Sequence, residues 1–329
     1  MRLRLPRRRG ALAFFLAAAV APLVVRDQFF LDGLILVLLW GALSSAWNVA
    51  AGYGGQVSLG HAAFFGIGAY AAALLSARFG QSPWLGMLLG VLLSIGAGLI
   101  IGYLSNRLRG PYFALSTIAF SQVLLIVASR WRGFTAGSEG IPVPFRPGFA
   151  TLGLSHAAWA YLALGVAVLY FAVQVVLERS RLGYQLAGVR EDEDAAEALG
   201  IASRRLKVLA IAVSAALTSI CGTLWAQYVG FVDPFYVFSV DLSVRFALMS
   251  IIGGIGTALG PFLGSVLITS LETYLRATFS GMKTGFAGIY LVIYGAMLVL
   301  VVRFLPEGLV GLAARLRTRV TGPPATAAP

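Results

Sequence analysis

Residues 188–207 read GVREDEDAAEALGIASRRLK and form the most densely charged run of a chain that is otherwise mostly apolar. The acidic residues and alanines favour one short helix of about ten residues, because carboxylates suit the first turn and alanine is a strong helix former. Gly200 stands where a left-handed residue would end that helix. Long hydrophobic segments flank this charged segment on both sides. Since it cannot lie in lipid, it must project from a membrane face.

The composition indicates a membrane protein. The 329 residues are 59% hydrophobic and 12% charged, whereas soluble domains carry about 25% charged residues. Apolar runs of spanning length predict an all-α fold, a polytopic transmembrane helical bundle. The net charge of +12 does not favour a nucleic-acid partner, because most of the excess lies in the terminal tails and in short loops beside apolar runs. The single cysteine, Cys221, allows no intrachain disulfide.

We predict ten spans with both termini in the cytoplasm, and a count of eight stays open because two segments are short. Lysine and arginine concentrate in the segments that this orientation puts inside, so the charged segment is predicted to be cytoplasmic. The first apolar segment also fits a secretory signal peptide, but a retained span keeps the alternation consistent. The predicted spans are residues 11–25, 33–51, 61–79, 84–105, 111–129, 156–177, 207–230, 242–256, 258–275 and 285–305.

Three regions follow from this pattern. Residues 1–10 are expected to form a basic cytoplasmic tail, residues 11–312 the transmembrane domain, and residues 313–329 a basic and then disordered tail. Within the spans, Asp241 and Arg245 are four residues apart, as are Glu272 and Arg276. We expect each pair to meet on one helical face.

Two glycine-rich stretches separate neighbouring spans, and we name residues 52–61 the first break and residues 253–261 the second break. At an offset of 200 residues, Gly54, Leu59 and Gly60 match Gly254, Leu259 and Gly260. The similarity indicates either two related halves with broken helices along a substrate path, or close packing of small residues between helices. Polar candidates for lining a path are Asn48, Tyr53, Gln56, Ser58, His61, Ser116 and Thr117.

Several chemistries are disfavoured. The chain lacks a GxxxxGK[ST] phosphate loop, so it is not expected to hydrolyse ATP itself. His61 and His156 have no companion ligands at metal spacing. We therefore expect no catalytic residues, no metal site and no bound cofactor. The membrane-embedded part of the first seven segments has no carboxylate, which disfavours ion-coupled transport and leaves a passive channel or a transporter driven by another subunit.

Three stretches carry a resemblance to a known family. Residues 47–70, WNVAAGYGGQVSLGHAAFFGIGAY, resemble the signature stretch of the branched-chain amino acid ABC importer permeases of the LivM type. Residues 110–120, GPYFALSTIAF, and residues 190–201, REDEDAAEALGI, are similar to two further stretches of that family. Within the last stretch, Asp194, Ala195 and Ala196 followed by Gly200 resemble the EAA-loop pattern of importer permeases, with Asp in place of Glu.

The resemblance implies a permease subunit of the bacterial inner membrane that couples ATP hydrolysis by a partner to translocation of branched-chain or similar amino acids. The implied partners are ABC ATPase subunits, a second related permease and a periplasmic substrate-binding protein, all working at the lipid bilayer. A permease for amides or urea, a stand-alone channel or facilitator, and a membrane-embedded enzyme remain alternatives. The residues implied to contact the ATPase are Glu191, Glu193, Asp194, Ala195, Ala196, Glu197, Leu199 and Gly200.

Overall fold

The fold is a bundle of helices joined by short connections. The computed structural model describes residues 7–25, 27–104, 108, 110–279, 292, 295–296, 303 and 308–312. Its helices are α1 (Arg7–Val24), α2 (Gln28–Asn48), α3 (Ala62–Phe79), α4 (Pro83–Leu104), α5 (Pro111–Arg130), α6 (Arg132–Thr135), α7 (His156–Arg179), α8 (Arg181–Glu191), α9 (Glu193–Ala198), α10 (Ser203–Val229), α11 (Pro234–Val237), α12 (Val240–Gly254) and α13 (Gly260–Phe279). Two-residue strands β1 (Ile141–Pro142) and β2 (Phe231–Val232) pair antiparallel.

Six helices among the described residues are long and apolar enough to cross a membrane, which confirms the predicted polytopic bundle. They are α2 with the π-helical turn that extends it to Tyr53, α3, α4, α5, α7 and α10. The predicted count of ten is not confirmed. Helix α1 is a shorter apolar helix, and most of the last predicted span, 285–305, lies outside the described residues. Residues 1–6 and the predicted tail 313–329 also lie outside them.

Helix α12 is short because it begins inside the bundle. Its 15 residues extend about 22 Å at 1.5 Å per residue, less than the roughly 30 Å hydrocarbon core. The Ser121 hydroxyl of α5 donates to the Phe238 carbonyl just before α12. The backbone N–H of Ala62, the first residue of α3, donates to the Ser243 hydroxyl at 2.9 Å. Two helix N-termini therefore meet in the interior.

One intramembrane ion pair differs from the prediction. Arg245 does not pair with Asp241 on its own helix; its guanidinium binds the Glu272 carboxylate of α13. It also lies 4.8 Å above the Trp40 ring of α2. The pairing predicted between Glu272 and Arg276 stays a prediction, because the Arg276 side chain lies outside the described residues. Helices α12 and α13 pack side by side, so Arg245 finds its partner on the facing helix and not on the adjacent turn of its own helix.

Helices α3 and α10 pack at the centre of the bundle through glycine. A Cβ at Gly68 would lie 2.1 Å from the Ser219 carbonyl oxygen, and a Cβ at Gly222 would lie 2.1 Å from the Phe65 carbonyl oxygen. The two backbones are thus in direct contact on both sides of the crossing. Small residues at an interface allow this close approach between membrane helices.

We expect Gly222→Ala to destabilise the protein, because the added methyl group would force α3 and α10 apart. Overpacking of this kind costs about 1–3 kcal/mol, and the measurement is the unfolding temperature in detergent. The matched control is Gly165→Ala on the exposed side of α7, where nothing lies within 4 Å of the new Cβ. Equal unfolding temperatures for the two variants would contradict the packing described.

Candidate coupling and translocation site

The charged segment does not fold as the single predicted helix: it comprises the end of α8, the whole of α9 and the start of α10. Helix α8 ends at Glu191, and Asp192 adopts an extended conformation with φ −154°. The Asp192 carboxylate accepts a hydrogen bond from the Ala195 N–H at 3.0 Å. Asp192 is therefore the N-cap of α9, and aspartate at this position satisfies an N–H that would otherwise lack a partner. The interruption follows from the residue's preference for a cap over a helix interior.

The end of α9 is as predicted. Gly200 has φ +81°, in the left-handed region. The Gly200 N–H donates to the Glu197 carbonyl at 2.9 Å, and the Ile201 N–H donates to the Ala196 carbonyl at 3.1 Å. These bonds satisfy the last carbonyl groups of α9, and the left-handed conformation of Gly200 prevents the helix from continuing.

The residues implied to contact the ATPase divide between two sides of the segment. Ala196 is buried, and Glu193 is held inward by Lys207 of α10, with Nζ 2.6 Å from Oε1. Glu197 is exposed, and its carboxylate accepts from the Ser203 hydroxyl. The Leu199 side chain is 82% exposed. The outward side also carries Glu191, Asp194, Ala195 and Gly200.

Arg190 joins the charged segment to the first break. Its Nη1 donates to the Gly52 carbonyl oxygen at 2.7 Å, and its Nη2 lies 2.7 Å from Glu191 Oε1. The same guanidinium lies against Gly256 of the second break, where a Cβ would be 2.8 Å from Nη1. A cavity of about 610 Å³ lies beside this contact. It is lined by residues 54–57, by residues 189–194 and by Leu108, Gly110, Pro111, Phe113, Ala114 and Lys207.

Helix α7 contacts both breaks directly through Glu178, and Gln174, one turn earlier, contacts the second break through Asn48. Glu178 Oε1 accepts from the Tyr53 hydroxyl at 3.0 Å and from the Ala258 N–H at 2.9 Å. Gln174 Oε1 accepts from Asn48 Nδ2 at 2.9 Å. The Asn48 side chain in turn binds the second break: its Oδ1 accepts from the Gly256 N–H at 2.8 Å and its Nδ2 donates to the Thr257 carbonyl. Asn48 and Gln174 are buried.

The structure thus brings Asn48 and Tyr53 together where the two breaks meet, and Gln56 lines the adjoining cavity. Sequence reasoning missed Gln174, Glu178 and Arg190 as members of this group. The available signal was the spacing of Gln174 and Glu178, two polar residues four apart near the end of an apolar run. Nothing in the sequence indicated which breaks they would contact.

The other candidates for a path lie deeper along the first break. His61 Nε2 is 2.7 Å from the Ser214 hydroxyl, which donates to the Ala46 carbonyl. Thr117 Oγ1 accepts from the Leu59 N–H at 3.1 Å. Ser58 is buried, and its hydroxyl accepts from the Gly60 N–H. The Ser116 hydroxyl donates to the Phe113 carbonyl of its own helix. A role for these residues in translocation stays a prediction.

The fold and this junction define a multi-pass membrane permease: spanning helices are broken at two contacting points, and an exposed helical segment is attached to both. The chain matches, over residues 29–302, the family described as branched-chain amino acid transport system, permease component, and it belongs to that family. It is accordingly a transporter subunit of the inner membrane. Among the described residues, no group of three or more His, Cys, Asp or Glu is arranged to hold a metal ion.

Three relatives illustrate the similarity. The high-affinity branched-chain amino acid transport system permease protein LivM of Escherichia coli is 29% identical over 91% of this chain and 74% of its own length. The probable branched-chain amino acid transport permease protein LivM of Methanocaldococcus jannaschii is 23% identical over 85% of this chain and 94% of its own. The high-affinity branched-chain amino acid transport system permease protein LivH of Salmonella typhimurium is 22% identical over 86% and 95%.

We expect Asn48→Ala to destabilise the junction, because it leaves the Gly256 N–H and the Gln174 carboxamide buried without this partner. Each unpaired buried group costs about 1–3 kcal/mol, which would appear as a lower unfolding temperature in detergent. Gln185→Ala, at an exposed amide of α8, is the matched control. The losses of stability caused by substituting Asn48 and Gln174 should also be non-additive in a double-mutant cycle. Additive losses would show that the two side chains do not stabilise each other.

Proposed function

We propose that this chain is the membrane-spanning permease subunit of an ATP-driven importer of branched-chain or similar apolar amino acids. Family membership and the transport functions named for the relatives support the substrate class. The proposed complex contains ABC ATPase subunits, a second related permease and a periplasmic substrate-binding protein. ATP is bound by the ATPase partner in this proposal, which agrees with the lack of a phosphate loop in this sequence.

The charged segment is proposed as the contact with the ATPase, on the cytoplasmic side. The outward side of α9 presents acidic side chains beside Leu199, a large apolar side chain that is 82% exposed. Interfaces commonly combine an apolar centre with a polar rim. The inward side is fixed to the bundle by Ala196 and by the ion pair of Glu193 with Lys207. A partner bound outside can therefore displace α9 without first having to detach it.

The observation that carries the coupling proposal is the pair of links from this segment to the two breaks. A displacement of α9 reaches α8 through the single extended residue Asp192. From α8 it reaches Gly52 through Arg190, and from the adjoining α7 it reaches Tyr53 and Ala258 through Glu178. In many transporters interrupted membrane helices form the substrate site, and access alternates as one part of the bundle moves against the other around that site. Movement of both breaks would then open the path alternately to the two sides.

Substrate recognition in this proposal rests on hydrogen bonds and not on a buried charge. A zwitterionic amino acid carries both a carboxylate and an ammonium group, which helix ends and neutral polar groups can solvate in turn. The side chains suited to this role are Asn48, Gln56, Ser58, His61 and Thr117. We expect no tight binding site in this chain, so that selectivity belongs to the substrate-binding protein.

The proposed function is tested by uptake of labelled leucine into vesicles that hold the whole complex. Uptake should require ATP. Leu199→Glu should abolish most of the uptake, because it removes an apolar contact at the centre of the proposed interface. Such a contact is worth about 2 kcal/mol, which corresponds to roughly a thirtyfold loss in affinity for the ATPase. Co-purification of the ATPase measures that affinity directly. Phe145→Glu, at an exposed apolar residue of the loop between α5 and α7, is the control. Leucine uptake by this chain alone, without ATP, would instead establish a facilitator.

The coupling links are tested by variants that keep the ATPase bound. We expect Arg190→Gln and Glu178→Gln to retain ATPase binding and ATP hydrolysis but to lower the amount of leucine transported per ATP about tenfold, because displacement of α9 would no longer reach the breaks. Arg190→Gln removes a charge-assisted hydrogen bond of about 1.5–3 kcal/mol. Glu178→Gln weakens the two bonds to Tyr53 and Ala258, because a neutral amide oxygen is a weaker acceptor than a carboxylate. Arg181→Gln, an exposed arginine on the same α8, should leave the ratio unchanged. A normal ratio in both test variants would refute this route.

A further inference from the structure

A second cavity lies on the face of the bundle that carries α9, and the coupling proposal makes no use of it. It measures about 870 Å³ and opens between the last turns of α4 and the first turns of α10. The link from Gly200 to Ala202 forms its third side. Two adjacent arginines and several apolar side chains share its lining, an unusual combination for a surface that faces only water.

The two arginines give the cavity its charge. Arg204 and Arg205 are exposed, and neither forms an ion pair with another described residue. The Arg204 guanidinium carbon lies 4.6 Å from the centroid of the Tyr103 ring. The Glu197 carboxylate, also in the lining, accepts from the Ser203 hydroxyl. Two guanidinium groups at the cavity mouth therefore remain able to bind an anion.

The remaining walls are apolar and belong to membrane helices. Leu99 and Tyr103 of α4 and Leu209 of α10 line the cavity and are all exposed. Helix α4 is one of the six helices apolar enough to span a membrane, and two thirds of its span is unburied by the rest of the chain. The arginines thus stand at the end of an apolar groove that runs toward the membrane interior. Tyrosine is typical of this boundary between lipid tails and headgroups.

We propose that this cavity binds one anionic phospholipid. Its phosphate would lie between Arg204 and Arg205, since guanidinium groups match phosphate oxygens in geometry and charge. Its acyl chain would extend along Leu99 and Leu209 between α4 and α10. Basic pockets between membrane helices on the cytoplasmic side bind acidic lipid headgroups by this chemistry. The site is separate from the importer's substrate path and does not depend on the proposed substrate.

An acidic surface of a soluble partner is the rival occupant, because α9 adjoins the cavity. The stacking of Arg204 on Tyr103 favours the lipid. It directs the guanidinium toward α4 and the apolar groove, and not outward alongside the exposed Leu199. A protein surface could pair with the arginines, but it could not fill a groove between two membrane helices.

The test is native mass spectrometry of the complex released from nanodiscs that contain phosphatidylglycerol and phosphatidylethanolamine. We expect one retained phosphatidylglycerol per chain. Retention should fall roughly twentyfold in the double variant Arg204→Gln, Arg205→Gln, because an arginine near an anionic lipid contributes about fivefold in affinity. Tyr103→Leu keeps the apolar wall but loses the stacking, and it should lower retention severalfold.

The matched control is Arg179→Gln, Arg181→Gln, which removes the same charge at the exposed junction of α7 and α8. This control should retain phosphatidylglycerol as the unchanged protein does. Equal losses of lipid retention in both double variants would show that general surface charge, and not this cavity, causes the effect. Displacement of the lipid by millimolar inorganic phosphate would identify a simple anion site. Unchanged lipid retention with loss of the ATPase would identify a protein contact, and each of these results overturns the proposal.

Discussion

The structure depends on satisfying the backbone of two interrupted helices inside an apolar bundle. Peptide groups that leave a helix within a membrane cost several kcal/mol each unless something else bonds them. The Asn48 side chain supplies this compensation for the second break, with its oxygen accepting from the Gly256 N–H and its nitrogen donating to the Thr257 carbonyl. Gln174 fixes the orientation of that carboxamide. The breaks are therefore defined structures, held by side chains from two other helices.

The same bonds that stabilise the breaks also connect them to the surface. Glu178 bonds Tyr53 and Ala258, and Arg190 bonds Gly52, so both breaks have partners on the continuous path from α7 into α8. A bundle that only needed to satisfy its backbone could have used water or residues of α2 itself. Partners on α7 and α8 mean that the position of the charged segment and the geometry of the breaks cannot vary independently. Structural stability and the proposed coupling thereby rest on the same few side chains.

Sequence reasoning identified the features that depend on local pattern. The apolar runs located the spanning helices, glycine clusters located both breaks, and Gly200 ended α9 as its position predicted. Most of the failures concern contacts between helices. Arg245 binds Glu272 across two helices because spacing along one chain reveals neighbours on the same helix and not the residue opposite. Gln174 and Glu178 were missed for the same reason, and Asp192 was read as helical because its capping preference was outweighed by the acidic run around it.

The division between α8 and α9 at Asp192 suits the proposed transmission of force from α9 better than the predicted single helix would. The connection from α7 to α8 and the connection from α8 to α9 are both capped. The Ser180 hydroxyl accepts from the Gly183 N–H at the start of α8, and the Asp192 carboxylate accepts from the Ala195 N–H at the start of α9. A side-chain cap restrains such a junction because it bonds one N–H group of the first turn that would otherwise lack a partner. A flexible loop at Asp192 would absorb a displacement of α9, whereas a fixed bend passes it to Arg190, two residues away. The cap that made the helix prediction fail is thus the feature through which, in the proposed coupling route, a short surface helix would act on the interior.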